Sequence, residues 1–246
     1  MISITRALYQ GLGLALLILL CSCGQFDGSR DVGERDLTKP GKPSSKQPKE
    51  PATIVDTGKL GAICKTIVDE KEPDQPLANL GELKDRFLNS HNNIRSRYSL
   101  KPLVWDDQIA AYAQRWADYL KNTNKCKMKH RSDADKTKEK KYGENLGVVW
   151  IPAPISAGTF ISSPELIVRS WSIECKDYSY ADSSCTPNEQ CGHFTQVVWA
   201  DSIRVGCGMA ICDGTESFKG QRAEVWVCNY DPAGNIFMNG TPLKPF

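Results

Sequence analysis

The sequence predicts a domain of the α+β class, because helical patterns fill the first part of the folded region and strand patterns fill the last part. Apolar residues recur at helical spacing in three segments between residues 80 and 178, whereas short β-rich runs separated by turn residues follow Cys191. This order of elements favours a layered arrangement over a parallel βαβ sheet. Hydrophobic residues make up 40% of the 246-residue chain, enough for one solid core.

The N-terminus has the features of an export signal. The apolar run ALYQGLGLALLILL, Ala7–Leu20, fits the hydrophobic core of a signal peptide and is too short for a membrane span. The following LCSCG resembles a bacterial lipobox, which predicts a leader over residues 1–22 and a lipid on the Cys23 thiol. The alternative is an ordinary secretory signal. The expected product is therefore an extracytoplasmic protein, anchored to a membrane by its lipid or, in the alternative, freely secreted.

Residues 23–76 are expected to form a flexible tether and an N-terminal extension. Residues 24–51 are polar and rich in Lys, Pro, Gly and Ser, a composition that cannot bury a core. Residues 52–76 are ambiguous, with Cys64 as the expected anchor. The folded domain is expected over residues 77–246. The net charge of the whole chain is only +2, and no nucleic-acid-binding motif stands out, so we expect no nucleic-acid partner.

Eight cysteines remain once Cys21 and Cys23 are set aside. An even number in an exported chain indicates disulfides, and a metal site would require close pairs such as C-x-x-C, which do not occur. The eight are Cys64, Cys126, Cys175, Cys185, Cys191, Cys207, Cys212 and Cys228.

The first two predicted helices each have one apolar face. The segment LGELKDRFLNSHNNIRSRY, residues 80–98, places His91 on its inward stripe together with Leu80, Leu83, Phe87 and Ile94. The segment WDDQIAAYAQRWADYLKN, residues 105–122, begins with Asp106 or Asp107 as N-cap. Its stripe consists of Ile109, Ala113, Trp116 and Leu120.

The third predicted helix, SSPELIVRSWSIECKDY, places a carboxylate on its inward face. Ser162 and Glu165 have capping-box spacing, and Pro164 lies in the first turn. The stripe contains Glu174 with Ile167, Trp171 and Tyr178. Three strands are then predicted from the runs TQVVWA, IRVGCGMAI and AEVWVCNY.

Four polar residues are candidates for chemistry. His91 and Glu174 face inward from helices, and His193 stands in GHFTQVVWADS, which is typical of a turn running into a strand. Glu144 lies in KYGENLG, a glycine-flanked turn that could present a carboxylate to a cleft. Two imidazoles and two carboxylates, if they converge, could bind a divalent metal or move protons. Taken singly, each residue is more often structural.

Four motifs resemble those of the CAP superfamily (cysteine-rich secretory proteins, antigen 5, pathogenesis-related 1). GHFTQVVWADS and VWVCNYDPAGNI resemble its two signatures, HNNIRSRYSLKPLVWDDQIAAYAQRWADYL its opening helix pair, and YGENLG its central turn. The resemblance implies a three-layer α-β-α sandwich whose cleft carries a His, Glu, Glu, His tetrad. It matches the tetrad to His91, Glu144, Glu174 and His193, and the two histidines to a divalent metal such as Zn²⁺.

The resemblance also implies three disulfides, Cys185–Cys191, Cys126–Cys212 and Cys207–Cys228. Cys64 and Cys175 fall outside the family pattern, and we predict that they pair with each other. That bridge would hold the N-terminal extension against the third helix.

Three classes of function remain open at this stage. A non-catalytic binding module for a lipid, a sterol or an extracellular protein partner is favoured, since several family members bind lipids. The apolar segment Val148–Ile161 either packs on the core or forms a wall that contacts such a ligand. The alternative is a metal-dependent hydrolase or protease using Glu144, Glu174 and Ser132, although no G-x-S-x-G elbow is present. A rigid interaction scaffold is the third class.

Overall fold

The structure is a computed structural model that describes residues 17–20, 56–71, 75–132, 142–152, 156, 158–212, 221–238 and 240–246. Its α-helices are α1 (Thr57–Asp69), α2 (Leu83–Arg97), α3 (Asp107–Asn122), α4 (Pro164–Ser172) and α5 (Gly192–Val197). Two 3₁₀ helices span Leu80–Glu82 and Ile173–Asp177. The strands are β1 (Leu17–Leu20), β2 (Val104–Trp105), β3 (Gly143–Pro152), β4 (Tyr178–Ser179), β5 (Ser184–Cys185), β6 (Arg204–Ile211), β7 (Gln221–Asp231), β8 (Phe237–Met238) and β9 (Thr241–Pro242).

The central sheet has five strands in the order β1-β3-β7-β6-β2. Strand β7 is its centre, since it pairs antiparallel with both β3 and β6, while β2 pairs parallel with β6. Strands β4–β5 and β8–β9 form two small antiparallel pairs. A long β7 flanked by two long neighbours satisfies most backbone groups of the sheet internally, so the sheet is a rigid support for the helices.

Helices cover both faces of the sheet and produce a three-layer α-β-α sandwich, as predicted. Helix α3 packs on one face through Ala113, Trp116 and Leu120, against alternate residues of β3 and β7. Helices α1, α2, α4 and α5 cover the other face, where Phe87, Ile167, Trp171, Phe194 and Trp226 share a second apolar cluster. The buried apolar residues of β3 and β7 therefore alternate between two separate cores.

The three predicted helices are present, with differences at their ends. Asp106 is the N-cap of α3 and accepts hydrogen bonds from the backbone N–H groups of residues 108 and 109. The N-cap of α4 is Ser163 instead of Ser162, because the Ser163 Oγ accepts the N–H of Leu166 at 3.1 Å. Leu80 is 58% exposed, since it lies in a 3₁₀ turn ahead of α2 and does not belong to the buried stripe. The third predicted helix is divided into α4 and the 3₁₀ helix 173–177.

Two local predictions are wrong. The segment GHFTQVVWADS contains no strand; its first part is the short helix α5, which buries Phe194 and Val197 in the core. Tertiary packing outweighs the strand preference of Val197 and Val198 here. Glu144 lies in β3 and not in a turn, where it pairs with Asn229 of β7.

The packed part of the chain begins upstream of Leu77. Helix α1 falls in the segment expected to be tether and extension, and it buries Cys64 and Ile67. Leu17–Leu20, the end of the predicted signal core, forms the edge strand β1 beside β3. Cys23 and residues 24–55 lie outside the described residues, so lipidation stays a prediction.

Four disulfides join the predicted partners. They are Cys64–Cys175, Cys126–Cys212, Cys185–Cys191 and Cys207–Cys228. The first ties α1 to the 3₁₀ helix 173–177, the second ties the end of α3 to the end of β6, and the fourth joins β6 to β7. Constraining loops of this length in the unfolded chain stabilises the folded state.

Candidate functional site

His193 forms a buried pair with Glu174. Its Nδ1 lies 2.7 Å from Glu174 Oε1, and the two side chains are 1% and 5% exposed. Glu174 Oε2 also accepts the backbone N–H groups of His193 and Phe194 at 3.0 and 3.2 Å. An ionised carboxylate is acceptor-only, so the proton of the neutral imidazole lies on Nδ1 and Nε2 is the basic nitrogen.

His130 forms a second pair of the same kind with Glu144. Its Nδ1 lies 2.9 Å from Glu144 Oε1, which also accepts the backbone N–H of Arg131 at 3.0 Å. The side chains are 24% and 8% exposed, so this pair is closer to solvent than the first. Here too the carboxylate favours the tautomer with its proton on Nδ1.

The start of β3 connects the two pairs. Glu144 of the second pair is followed directly by Asn145 in β3. Asn145 Nδ2 donates to the backbone carbonyl of His193 at 3.1 Å. The neighbouring Gly143 lies against α5 so closely that a Cβ there would come within 2.2 Å of Gln196 Oε1. One end of the sheet thus contacts both His–Glu pairs.

The hydrogen bonds of His91 are with Phe87 and Tyr230 and not with Glu144 or Glu174, and its role as a metal ligand stays a prediction. His91 Nδ1 donates to the Phe87 carbonyl at 2.8 Å, because a carbonyl can only accept. Its Nε2 lies 2.8 Å from the Tyr230 hydroxyl, which itself accepts Asn145 Nδ2 at 3.2 Å. The hydroxyl proton therefore goes to His91 Nε2, and both ring nitrogens are used inside the core.

Burial lowers the pKa of His91, which agrees with its role as a neutral ring in the core. The pKa falls from 6.5 to about 4, mainly because burial disfavours the charged ring, with a smaller contribution from the nearby Arg95 charge. The inward stripe position of His91 was correctly predicted, but it indicates a core residue.

His130 is the site residue that sequence reasoning passed over. It lies in a Lys-rich stretch without helical or strand periodicity, so no pattern assigned it an inward face. A usable signal was that His130 is the histidine nearest in sequence to Glu144, 14 residues before it. Ser132 follows two residues later, and residues 133–141 lie outside the described part of the chain.

The described part of the apolar segment Val148–Ile161 packs on the core. Val148, Val149 and Ile151 are buried in β3. Beyond them, Ile161 N–H donates to the buried carboxylate of Glu224 at 2.7 Å, and Arg222 donates to the Thr159 carbonyl. These contacts with β7 fix the segment and support the packing interpretation for these residues.

The described residues contain no group of three or more His, Cys, Asp or Glu side chains arranged to hold a metal ion. None of the helices described is both long enough and apolar enough to cross a bilayer.

Comparison with known families identifies the domain. The family model described as the cysteine-rich secretory protein family, CAP, matches residues 88–230. The chain belongs to the CAP family. The match includes α3, β3, α4, α5, β6 and all but the last residue of β7, so the CAP domain contains both His–Glu pairs, whereas α1 lies outside the match.

Individual CAP relatives agree with this assignment. The chain is 38% identical to pathogenesis-related protein 1A1 of Solanum lycopersicum over 159 residues, which cover 63% of this chain and 75% of that protein. It is 35% identical to pathogenesis-related protein PR-1 of Medicago truncatula, covering 63% and 76%. The solved structure titled BmVAL-1 superimposes with a TM-score of 0.50 at 23% identity, covering 69% of this chain and 84% of that one, and shares the fold. The disulfides and the family together indicate an extracytoplasmic CAP domain.

Proposed function

We propose that this CAP protein is a non-catalytic, exported binding module whose ligand site is formed by the His130–Glu144 and His193–Glu174 pairs. The observation that carries the proposal is that both imidazoles bond to a carboxylate through the same ring nitrogen. In each pair a carboxylate holds Nδ1 and leaves Nε2 as the basic nitrogen. A carboxylate that orients a histidine in this way is typical of histidines that contact a ligand.

A divalent cation such as Zn²⁺ fits these donors, with His130 in the place that the family resemblance gave to His91. The ion would be held by the Nε2 atoms of His130 and His193, with the carboxylates fixing the tautomers. Two protein nitrogens make a weak, exchangeable site that water or a partner would complete. Loading would therefore depend on the zinc concentration outside the cytoplasm.

The hydrolase alternative has less support. A general base must be able to take up a proton during the reaction. Glu174 instead accepts three hydrogen bonds from His193 and Phe194, and Glu144 accepts three from His130, Arg131 and Asn229. Both carboxylates are thereby used to hold structure in place.

An apolar ligand, a lipid, sterol or the surface of a protein partner, is the second candidate. It is favoured by the exposed apolar side chains on and beside the β8–β9 pair: Ile236, Phe237, Met238 and Leu243. Native mass spectrometry of the protein purified from its host would detect a retained lipid. Lipidation of Cys23 would place this surface near a membrane.

Calorimetric titration with ZnCl₂ tests the cation site. At pH 7.5 we expect heat of binding from the wild type, a weaker site in His130→Ala, and no binding in the His130→Ala/His193→Ala double variant. Because a ligating imidazole must be neutral, affinity should decrease as the pH falls below about 6.5.

His91→Gln is the matched control, since it removes an equally buried imidazole from outside the proposed site. It should bind zinc like the wild type. Equal heats from the wild type and the double variant, or loss of binding in His91→Gln alone, would contradict the proposal.

A further inference from the structure

The His193–Glu174 pair has a disulfide beside each of its members. Cys191 precedes His193 by two residues and is the N-cap residue of α5, and its bridge goes to Cys185. Cys175 directly follows Glu174, and its bridge goes to Cys64 in α1. The first bridge lies within residues 88–230, whereas the second reaches a helix outside the family match.

Glu174 lies on an element with little internal support. The 3₁₀ helix Ile173–Asp177 has five residues, and hydrogen bonds of 3₁₀ helices have poorer geometry than those of α-helices. The Glu174 carboxylate must nevertheless hold three donors at once. External contacts to this short helix are therefore expected to decide how well the carboxylate is placed.

Helix α1 supplies such contacts and is itself held in place. Cys64 and Ile67 are its buried side chains, at 5% and 1% exposure. Arg169 of α4 donates to the carbonyls of Val68 and Glu70 at 2.9 and 2.7 Å, at the C-terminal end of α1. The Glu70 carboxylate also pairs with Arg97 of α2 at 2.7 Å.

We propose that α1 and the Cys64–Cys175 disulfide are a positioning element for the ligand site: they fix the 3₁₀ helix 173–177 so that Glu174 orients His193. Cys64, Cys175 and Ile67 are thus positioning residues that act through Glu174. This inference rests on the proposed function for the part that concerns ligand binding. The geometry of the pair itself can be tested without any ligand.

The test compares two double variants of the full mature protein. Cys64→Ser/Cys175→Ser removes the positioning bridge, and Cys126→Ser/Cys212→Ser removes another buried, long-range bridge, on the opposite face of the sheet. Proton NMR reports the Nδ1–H of His193, which resonates far downfield and exchanges slowly while Glu174 holds it. ZnCl₂ titration then gives the affinity of each variant.

We expect the His193 Nδ1–H signal to be lost or broadened in Cys64→Ser/Cys175→Ser and kept in the control. Zinc affinity should fall about tenfold in the first variant, the size expected when a ligand loses its orienting partner, and stay at the wild-type value in the second. A retained signal in the first variant, or equal losses in both, would overturn the proposal. Failure of the wild type to bind zinc would count against the proposed function and leave the NMR comparison decisive.

Ile67→Ala serves if the cysteine variant does not fold. It loosens the contact of α1 while keeping all four disulfides. Broadening of the His193 signal, with the His130 signal unchanged, supports the positioning role. Unchanged signals from both histidines contradict it.

Discussion

His91 and His193 are equally buried but have different hydrogen-bond partners. Their exposed fractions are 0% and 1%, and the ring of Trp171 lies 6.2 Å from each ring between centroids. His91 bonds to a carbonyl and a hydroxyl, whereas His193 bonds to a carboxylate. A carbonyl and a hydroxyl hold the His91 ring within the core, whereas in the function proposed above the carboxylate orients His193 toward a ligand. Burial and an inward position are common to both histidines, so the partner is what distinguishes them.

The largest loss of stability is expected from removing the Glu174 carboxylate. In the Glu174→Ala variant, His193 Nδ1 and the backbone N–H groups of His193 and Phe194 lose their acceptor in the buried interior. Each buried donor that loses its acceptor costs about 1–3 kcal/mol, so the three together should lower the unfolding free energy by at least about 3 kcal/mol. Urea denaturation at pH 7 measures this loss.

Glu144→Ala is the matched control for that experiment. Its pair with His130 is partly exposed, so water can replace the lost acceptor and the loss should be clearly smaller. Equal losses in the two variants would show that the two pairs are equivalent for stability.

Acid should destabilise the folded protein by protonating His91. Its pKa of about 4 in the folded protein lies below the ordinary value of 6.5, so the unfolded chain binds the proton first. The contribution of His91 to stability is complete above pH 6.5 and is lost as the pH falls toward 4. The loss should reach about 3 kcal/mol, from the 1.36 kcal/mol that corresponds to each pKa unit.

Urea midpoints of the wild type and His91→Gln, measured between pH 7.5 and 4.5, isolate this contribution. The variant should be less stable at pH 7.5 but should lose less stability on acidification. Identical pH dependence in both proteins would mean that His91 is not the buried group that acid charges.

The smallest loss of stability is expected from removing the Tyr230 hydroxyl, which bonds to His91 Nε2. Tyr230→Phe keeps the ring in the core but removes the donor to His91 Nε2 and the acceptor of Asn145 Nδ2. Leaving these buried groups without their partner should cost about 1–2 kcal/mol. Thermal unfolding, compared with Tyr98→Phe, measures it.

Tyr98→Phe removes a hydroxyl that bonds to the Tyr180 hydroxyl at 3.1 Å in a partly buried cluster. It should be milder, because Tyr180 is less buried than His91 and can turn to water. A larger loss in Tyr98→Phe would argue that the His91–Tyr230 contact is unimportant.

The helical frame of the fold was predictable because its signals are local. Apolar spacing located α2, α3 and α4, and the Asp106 cap marked the start of α3. The layers and three of the disulfides followed from the family resemblance, and Cys64–Cys175 from the two cysteines that it left over. These features depend on residues a few positions apart or on recognisable motifs.

Three of the four residues of the two His–Glu pairs were identified from the sequence, but not how they pair, because the pairs are long-range contacts. Glu174 and His193 were both identified, yet 19 residues separate them and only the fold brings their side chains together. His130 was missed for the same reason, since its contact with Glu144 forms between an irregular segment and a strand. Helix α5 was missed because packing overruled the strand preference of its valines.

A buried arginine places a positive charge in the interior of the domain. Arg95 is fully buried, and its guanidinium donates to the carbonyls of four residues, namely Lys101, Val197, Trp199 and Ser202. These partners are dipoles, so they solvate the charge without cancelling it. This charge lies one helical turn from His91 in α2, and it adds to the effect of burial in disfavouring protonation of that imidazole. Lysine could not replace this residue, since three donors on one nitrogen cannot reach carbonyls spread around a planar five-donor group.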